Sequence, residues 1–411
     1  MTDLAPPTSD VSARFQKKRD MILDAASDLI NSRGLKGLTF VNVAEAVGLN
    51  TTSITYYFKR KDLLAAATLD RAIRRLDALA IEAAKAPDPR ARVEMLFALY
   101  FELITRIRRQ EAHPNTLLSE LRAMKDPARG TLIALYQTML GRVADYFGPA
   151  DDPEVRARHL ARAQVLLDII HWARIWTPQY AVSDFPRVQA QLMALFEHGL
   201  APAGVAWAPD ILHPDTPPDD SGEVGREAYL RAATQLLNER GYRGSSVEAI
   251  AARLNLSKGS FYHHLEGKDD LVLECFTRSY ERVSRTQELA IEADGSWWDR
   301  IASCIATLLE IQFDARFPLL RTIAMQALPP ELRPDALRMS DHMAKRFSGM
   351  MFDGMTEGSV RHVDPFIASQ CLLAALNAAI DFHQWAAARP SREVAIAVYA
   401  APFVHGMFSH D

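Results

Sequence analysis

The chain has 411 residues, too many for one ordinary domain and suited to two to four. Its 48% hydrophobic and 24% charged residues are those of a well-packed globular protein. A net charge of −4 excludes a general attraction to nucleic acid, so any affinity for DNA must come from local patches. One such patch is residues 12–85, which carry 13 Lys and Arg against 8 Asp and Glu.

Cysteine usage and the N-terminus indicate a cytoplasmic protein. Cys275, Cys304 and Cys371 form no CxxC pair, which favours reduced, inert thiols over a disulfide frame or a zinc site. No uninterrupted apolar run approaches the roughly 18 residues of a membrane span. The opening MTDLAPPTSD lacks the basic and apolar regions of a signal peptide and is predicted to be a disordered lead-in. We therefore expect no membrane association and no metal.

A segment of about 55 residues occurs twice. Arg19–Arg71 aligns with Arg226–Arg278 at an offset of 207 without a gap. The repetition continues at 167–176 against 376–385, and at 196–200 against 403–407. The repeating unit is therefore about 200 residues long, and the chain holds two units.

Periodicity predicts an all-α fold. Apolar residues at spacings of three and four form one stripe in each repeat, at 22–30 and at 229–237. Gly34 and Gly241 are predicted to end these helices. The candidate N-caps of the next helices are Thr39 and Ser246, with a capping box between Ser245 and Glu248 as an alternative in the second repeat.

A tight turn and a further short helix follow in each repeat, the arrangement of a helix-turn-helix. Gly48 and Asn255 stand at the turn and are the residue types best suited to a positive φ. The second helices are predicted to begin near Asn50 and Ser257, with Ile54 and Phe58 facing the core in the first repeat.

The predicted organisation has five parts. A proline-rich and acidic stretch in the middle of the chain reads as a semi-extended linker. The predicted boundaries are 12–60 for the first helix-turn-helix, 61–200 for the first helical effector and dimerisation domain, 201–225 for the linker, 226–267 for the second helix-turn-helix, and 268–409 for the second helical domain.

The motifs resemble the tetracycline-repressor (TetR/AcrR) family of bacterial transcription regulators. The second repeat reads SKGSFYHHL and then KDDL, and the first reads TTSITYYF and then KDLL. Thr52 and Thr55 depart from the Gly and Tyr that the family usually has there. The resemblance extends to two complete family units in tandem, each with a three-helix DNA-binding domain and a larger bundle.

This resemblance implies that the second helix of each motif lies in the major groove of double-stranded operator DNA. Hydroxyls and amines there can bond phosphates or base edges. The candidate DNA-binding residues of the first repeat are Lys17, Lys18, Arg19, Thr39, Thr51, Thr52, Ser53, Thr55, Tyr56, Tyr57 and Lys61. Those of the second are Ser246, Ser257, Lys258, Gly259, Ser260, Tyr262, His263, His264 and Lys268. Adjacent residues diverge by about 100° on a helix, so we expect no metal at His263 and His264.

The two larger lobes contain no catalytic motif, so we expect no enzymatic activity and no cofactor. The resemblance implies an effector cavity among their helices, and the aromatic and Met residues available there indicate a small apolar or aromatic effector. The candidate ligand-binding residues are Phe97, Tyr100, Arg122, Tyr136, Asp168, His171, Trp172, Trp176, Phe313, Arg321, Met325, Asp381, Phe382 and Trp385. For each aromatic residue ordinary core packing is the alternative, and for each polar one an intramolecular bond.

In relatives the last two helices of a unit form a four-helix dimer interface. Here one chain supplies both pairs, at roughly 155–176 with 184–200 and 363–388 with 391–409. The hypothesis is a ligand-responsive repressor acting as an intrachain pseudo-dimer on unequal half-sites, with a further homodimer possible. The alternatives are a helical ligand-binding or protein-interaction module in which one or both DNA-binding domains are inactive and, more remotely, an enzyme using Asp168 or His171.

Overall fold

The computed structural model describes residues 9–214, 226–255, 267–314, 316, 318–321 and 333–409. Within these ranges every regular element is helical, which confirms the all-α prediction. The chain divides into two compact units, of which the first contains residues 1–78 and 103–139 and the second contains 79–102 and 140–411. The five predicted domain boundaries stay predictions.

The first unit is built around the first helix-turn-helix. Its helices are α1 (Ser9–Gly37), α2 (Phe40–Ala46), α3 (Thr51–Tyr57), α4 (Lys61–Ala83), the end of α5 (Pro89–Arg108), a 3₁₀ turn (Leu118–Ala123) and α6 (Ala128–Ala144). The last residues of α4 and α6 and the first residues of α5 belong to the second unit. Ile22, Val43 and Ile54 are fully buried in one core. Leu121 and Leu132 join that core, so the later segment of this unit packs on the motif.

The second unit contains the remaining helices. They are α7 (Pro153–Trp176), α8 (Phe185–His198), α9 (Arg226–Gly244), α10 (Val247–Arg253), α11 (Lys268–Glu292), α12 (Trp297–Phe313), α13 (Arg333–Glu357), α14 (Pro365–Ala378), α15 (His383–Ala387) and α16 (Arg392–Val404). The helix predicted over 363–388 is interrupted, because the backbone tightens into a 3₁₀ turn at Ala379–Phe382. Asp381 lies in this turn, where its carboxylate pairs with Arg321.

An asparagine in the first helix of each repeat, Asn31 in α1 and Asn238 in α9, holds a backbone segment in the same way. Asn31 donates to the carbonyl of Asn115 at 3.1 Å and accepts from the amide of Leu117 at 2.9 Å. Its repeat partner Asn238 donates to Leu319 at 2.9 Å and accepts from Arg321 at 3.1 Å. The repeat is therefore preserved in hydrogen bonding beyond the motif itself.

The first part of the predicted linker packs on the second lobe. Residues 205–214 contain no helix, as expected of an extended segment. The amides of Asp210 and Leu212 donate to the hydroxyls of Ser303 and Thr307 on α12, at 3.0 and 2.8 Å. Because these hydrogen bonds fix the segment, residues 210–212 lie along α12 in an extended conformation.

Helices of the two repeats contact each other inside the second unit, where α7 and α8 pack on α14 and α16. The amide of Leu200 donates to the carbonyl of Phe403 at 2.8 Å, and the amide of Met407 donates to the carbonyl of Phe196 at 2.6 Å. Leu200 and Met407 are equivalent positions, as are Phe196 and Phe403. The two bonds are therefore reciprocal, the pattern that a two-fold axis produces in an isologous interface.

Glycine is required where the end of the first repeat meets the end of the second. Gly199 and Gly406, also equivalent positions, have φ of +65° and +91°. A Cβ added to Gly406 would lie 2.5 Å from the carbonyl oxygen of Glu197, and one added to Gly199 would lie closer still to that of Val404. Both the left-handed backbone and the close approach thus exclude larger residues.

The three cysteines are free and buried, as expected for inert thiols. Burial raises the pKa of the Cys275 thiol to about 12, and it raises the pKa of Cys304 and Cys371 as well. One stretch of the described chain, Pro365–Ala387, is long and apolar enough to cross a membrane by composition. Its most apolar window is 72% buried among other helices, which is the behaviour of a core helix.

Candidate nucleic-acid interface

The first motif has the geometry that its sequence predicts. Thr39 caps α2, its hydroxyl accepting from the amide of Asn42 at 3.1 Å. Gly48 occupies the turn with φ +64°, and the next amide, that of Leu49, closes the turn on the carbonyl of Ala44 at 2.9 Å. Asn50 then caps α3 through the amide of Ser53 at 2.7 Å. The predicted start of the second helix is therefore confirmed.

Helix α3 has a buried face and an exposed face. Ile54 is fully buried and Phe58, which follows the helix, is 6% exposed, as the spacing predicts. Thr51 and Thr52 are exposed at its start. Within the described residues the hydroxyls of Thr52 and Tyr56 have no hydrogen-bond partner. Those two hydroxyls are consequently free to bond a ligand surface.

Two other polar side chains of α3 form local hydrogen bonds. The Ser53 hydroxyl donates to the Asn50 side chain at 2.8 Å. The Thr55 hydroxyl donates to the carbonyl of Thr51 at 2.6 Å, so its proton is already used. Each oxygen can still accept a hydrogen bond from a base amine.

Aromatic rings form an exposed patch beside this helix. Tyr56 is 67% exposed and Phe15 is 39% exposed. The ring of Tyr57 lies 4.7 Å from that of Phe15 and 5.3 Å from that of Tyr56, measured between centroids. These contacts fix the Tyr56 ring on the surface without the use of its hydroxyl.

Basic residues occupy the first part of α1. Arg14, Lys17 and Lys18 are exposed on this helix, and the guanidinium of Arg19 lies 5.5 Å from the ring centre of Phe58. At the start of α4, Lys61 is exposed. Cations on both sides of a polar helix are the arrangement that contacts successive phosphates.

The second motif has the same framework where it is described. Ser246 caps α10 through the amide of Ala249 at 3.1 Å. Ser245 instead donates to the carbonyl of Gly241, so Ser246 is the cap and the alternative capping box is not formed. Asn255 has φ +57°, matching Gly48. Lys268 begins α11. The candidates Ser257, Lys258, Gly259, Ser260, Tyr262, His263 and His264 lie outside the described residues.

The turn gives a testable prediction. Replacing Gly48 with Asn should change the free energy of unfolding little, because Asn255 takes the same conformation in the other repeat. Gly48→Val should lower it by about 1–2 kcal/mol, since a β-branched residue is disfavoured at positive φ. Space is not the cause, because nothing lies within 4 Å of an added Cβ. Chemical denaturation of the full chain compares the variants, and equal stabilities would contradict the turn assignment.

The candidate effector residues of the first lobe are divided between the two units. Arg122 and Tyr136 belong to the first unit, and Phe97, Tyr100, Asp168, His171, Trp172 and Trp176 belong to the second. Burial raises the pKa of Tyr100 to about 12, and Arg174 opposes that shift. The Trp172 indole donates to Gln370 at 2.9 Å, and Gln164 donates to Asp168 at 2.8 Å.

The candidates of the second lobe mostly pack on one another. Phe313, Phe382 and Trp385 surround Tyr399, with ring centroids 5.6, 6.0 and 6.2 Å from it. Arg321 and Asp381 form a two-pronged ion pair. Met325 lies outside the described residues.

Sequence reasoning missed one basic cluster. Arg158, His159 and Arg162 line a cavity of about 540 Å³ in the second unit. The sequence signal is a concentration of Arg and His over residues 156–162, in the first half of α7. Among the described residues no group of three His, Cys, Asp or Glu could hold a metal.

Two helices joined by a left-handed turn, with free hydroxyls on the second and cations beside it, define a helix-turn-helix DNA-binding protein. The family model "Bacterial regulatory proteins, tetR family" matches residues 22–68 and again 230–275. The chain therefore contains the DNA-binding domain of the TetR family of transcription regulators twice.

Known relatives have about the length of one repeat unit. The HTH-type transcriptional repressor DhaR of Mycobacterium sp. (strain GP1) is 28% identical over 159 residues, which are 38% of this chain and 80% of DhaR. The uncharacterized regulator YhgD of Bacillus subtilis is 20% identical over 36% of this chain and 78% of its own length. A TetR/AcrR regulator from Thermobifida fusca aligns structurally over 43% of this chain and 94% of its own, with 22% identity and a TM-score of 0.31.

Proposed function

We propose that this protein is a ligand-responsive repressor in which one chain acts as a pseudo-dimer. The observation that carries the proposal is the reciprocal pair of backbone hydrogen bonds, Leu200 to Phe403 and Met407 to Phe196. Equivalent positions of the two repeats bond each other as equivalent positions of two subunits do in a symmetric dimer. Covalent linkage makes this pairing independent of protein concentration.

The DNA-contacting helices predicted for the two repeats differ in sequence, so the proposed operator has unequal half-sites. The predicted second helix of the motif reads TTSITYY in the first repeat and SKGSFYH in the second. Hydroxyl-rich and lysine-containing helices present different donors to base edges, and therefore select different bases. The first motif also carries Arg14, Lys17 and Lys18 upstream, whereas Asp219, Asp220 and Glu223 precede the second. We accordingly propose that backbone electrostatics contribute more at the first half-site.

The proposed effector is a small apolar or aromatic molecule bound within the helical lobes. Buried aromatic side chains such as Tyr100, Phe313 and Phe382 supply the apolar surroundings. Arg321 and Asp381 supply polar groups that a ligand can engage only by replacing their mutual bond. Effector binding would favour a state in which the two DNA-binding domains no longer fit the operator. The proposed location of the protein is the cytoplasm.

The test is binding of the full chain to DNA from its own promoter region, with light scattering of the complex. We expect one chain of 45.9 kDa per operator, and affinity that falls steeply with salt. Operators symmetrised to either half-site provide the matched control and should bind roughly 10- to 100-fold more weakly. Two chains per site would contradict the pseudo-dimer. Absence of binding at low salt would favour the alternative in which the DNA-binding domains are inactive.

A further inference from the structure

The cavity next to α7 is built from both repeats. Its walls come from the first half of α7, the start of α5, the end of α8 and the last described residues of the chain. Phe147 and Phe408 contribute aromatic rings, with centroids 6.4 Å apart. A volume of about 540 Å³ falls within the range of small-molecule sites, roughly 300–1,000 Å³. Phe408 and Ser409, at the end of the second repeat, complete a wall whose other residues come from the first.

The acidic groups at this cavity already have partners. Asp88 accepts from the amide of Ala91 at 2.8 Å, as the cap of α5. Glu197 is paired with Arg90 and lies 3.7 Å from the imidazole of His198. Neither carboxylate is bonded to the basic residues of α7, so those residues are not neutralised from this side.

The three basic groups of α7 that line the cavity, Arg158, His159 and Arg162, have no acidic partner within the described residues. Arg162 is only 9% exposed, donates to the carbonyl of Ser409 at 2.6 Å and lies 5.4 Å from the ring centre of Phe147. His159 is 6% exposed, and its Nδ1 has no hydrogen-bond partner in the described part of the chain. Arg158 is half-buried and has no ion-pair partner there either.

Burial of unpaired charge is unfavourable, and it shifts the pKa of both Arg162 and His159. Burial lowers the pKa of Arg162 to about 10, with a further contribution from Arg158. Burial also lowers the pKa of His159, and the positive charges of Arg162, Arg156 and Arg158 add to that shift. Arg156 is itself paired with Asp145 at 2.6 Å. An anion in the cavity would supply the negatively charged partner that Arg158 and Arg162 lack.

We infer that this cavity binds a small organic carboxylate with an aromatic or apolar body. The carboxylate would pair with Arg158 and Arg162 and accept a hydrogen bond from His159, and the body would pack between Phe147 and Phe408. The chain would hold one such site, because the matching stretch of the second repeat, residues 365–378, contains no Arg, Lys or His. This site is separate from the proposed effector residues and does not depend on DNA binding.

The experiment is isothermal titration calorimetry of the full chain without DNA, with 4-butylbenzoate as the probe. We expect one site per chain, and no measurable binding of the uncharged 4-butylbenzamide. Arg158→Gln and Arg162→Met should each weaken binding roughly tenfold or more, the effect of losing a charge-assisted hydrogen bond. The exposed Arg187→Gln on α8 is the matched control and should bind as the wild type does.

Circular dichroism establishes that each variant is folded, and Arg158, being only half-buried, is the variant that tests the site if Arg162→Met does not fold. Equal binding of the amide and the carboxylate would overturn the inference, because the site would then not recognise charge. An unchanged affinity in Arg158→Gln, or no binding of the carboxylate at millimolar concentration, would overturn it as well. None of these results depends on whether the chain binds an operator as a pseudo-dimer.

Discussion

Gly406→Ala should lower the free energy of unfolding by about 3 kcal/mol or more, and Gly199→Ala should do the same. Each substitution places a Cβ at a positive φ and within 3 Å of a carbonyl oxygen of the other repeat. The first effect costs about 1–2 kcal/mol and the second, as overpacking against backbone, about 1–3 kcal/mol. Chemical denaturation followed by circular dichroism measures the loss, and the reciprocal bonds at Leu200 and Met407 should exchange faster with deuterium.

Gly204→Ala is the matched control for this prediction. Gly204 also has a positive φ, +80°, but an added Cβ there would meet nothing within 4 Å. It should therefore lose only the backbone contribution, about 1 kcal/mol. If all three variants lost the same stability, the close approach between the repeats would not matter, and the contact that supports the pseudo-dimer would be in doubt.

The double variant Thr52→Val, Tyr56→Phe should weaken operator binding about 100-fold. Both changes remove a hydroxyl and keep the shape of the side chain. If each hydroxyl bonds the DNA, two lost contacts at about 1.4 kcal/mol each give this factor. Fluorescence anisotropy with a labelled operator measures it. Stability should be unchanged, because neither hydroxyl has a hydrogen-bond partner within the described residues.

Thr138→Val is the control for the hydroxyl deletion. Thr138 is an exposed helical threonine on α6, outside the motif, and bonds only its own helix at 3.0 Å. It should bind DNA as the wild type does. Wild-type affinity in the double variant would show that α3 does not contact DNA through these hydroxyls. A loss of stability would show that the two hydroxyls have a structural role.

The helices of the first motif and the geometry of its turn follow from local sequence. Capping by Thr39 and Ser246, the positive φ of Gly48 and Asn255, and the buried Ile54 all follow from local rules. Such rules act over a few residues, and so a single sequence contains them in full. The internal repeat also indicated that the chain holds two copies of one unit of about 200 residues, because equivalent residues must satisfy the same packing twice.

Which distant groups meet depends on how the whole chain packs, and local sequence does not specify it. The 3₁₀ break after Ala378 places Asp381 against Arg321, and no local signal in that stretch predicts either the break or the pair. The reciprocal bonds between repeats and the cavity at Arg158 and Arg162 likewise join residues about 200 or more positions apart. Periodicity assigns a residue to a helix face but does not specify what covers that face, because the partner depends on how the whole chain packs.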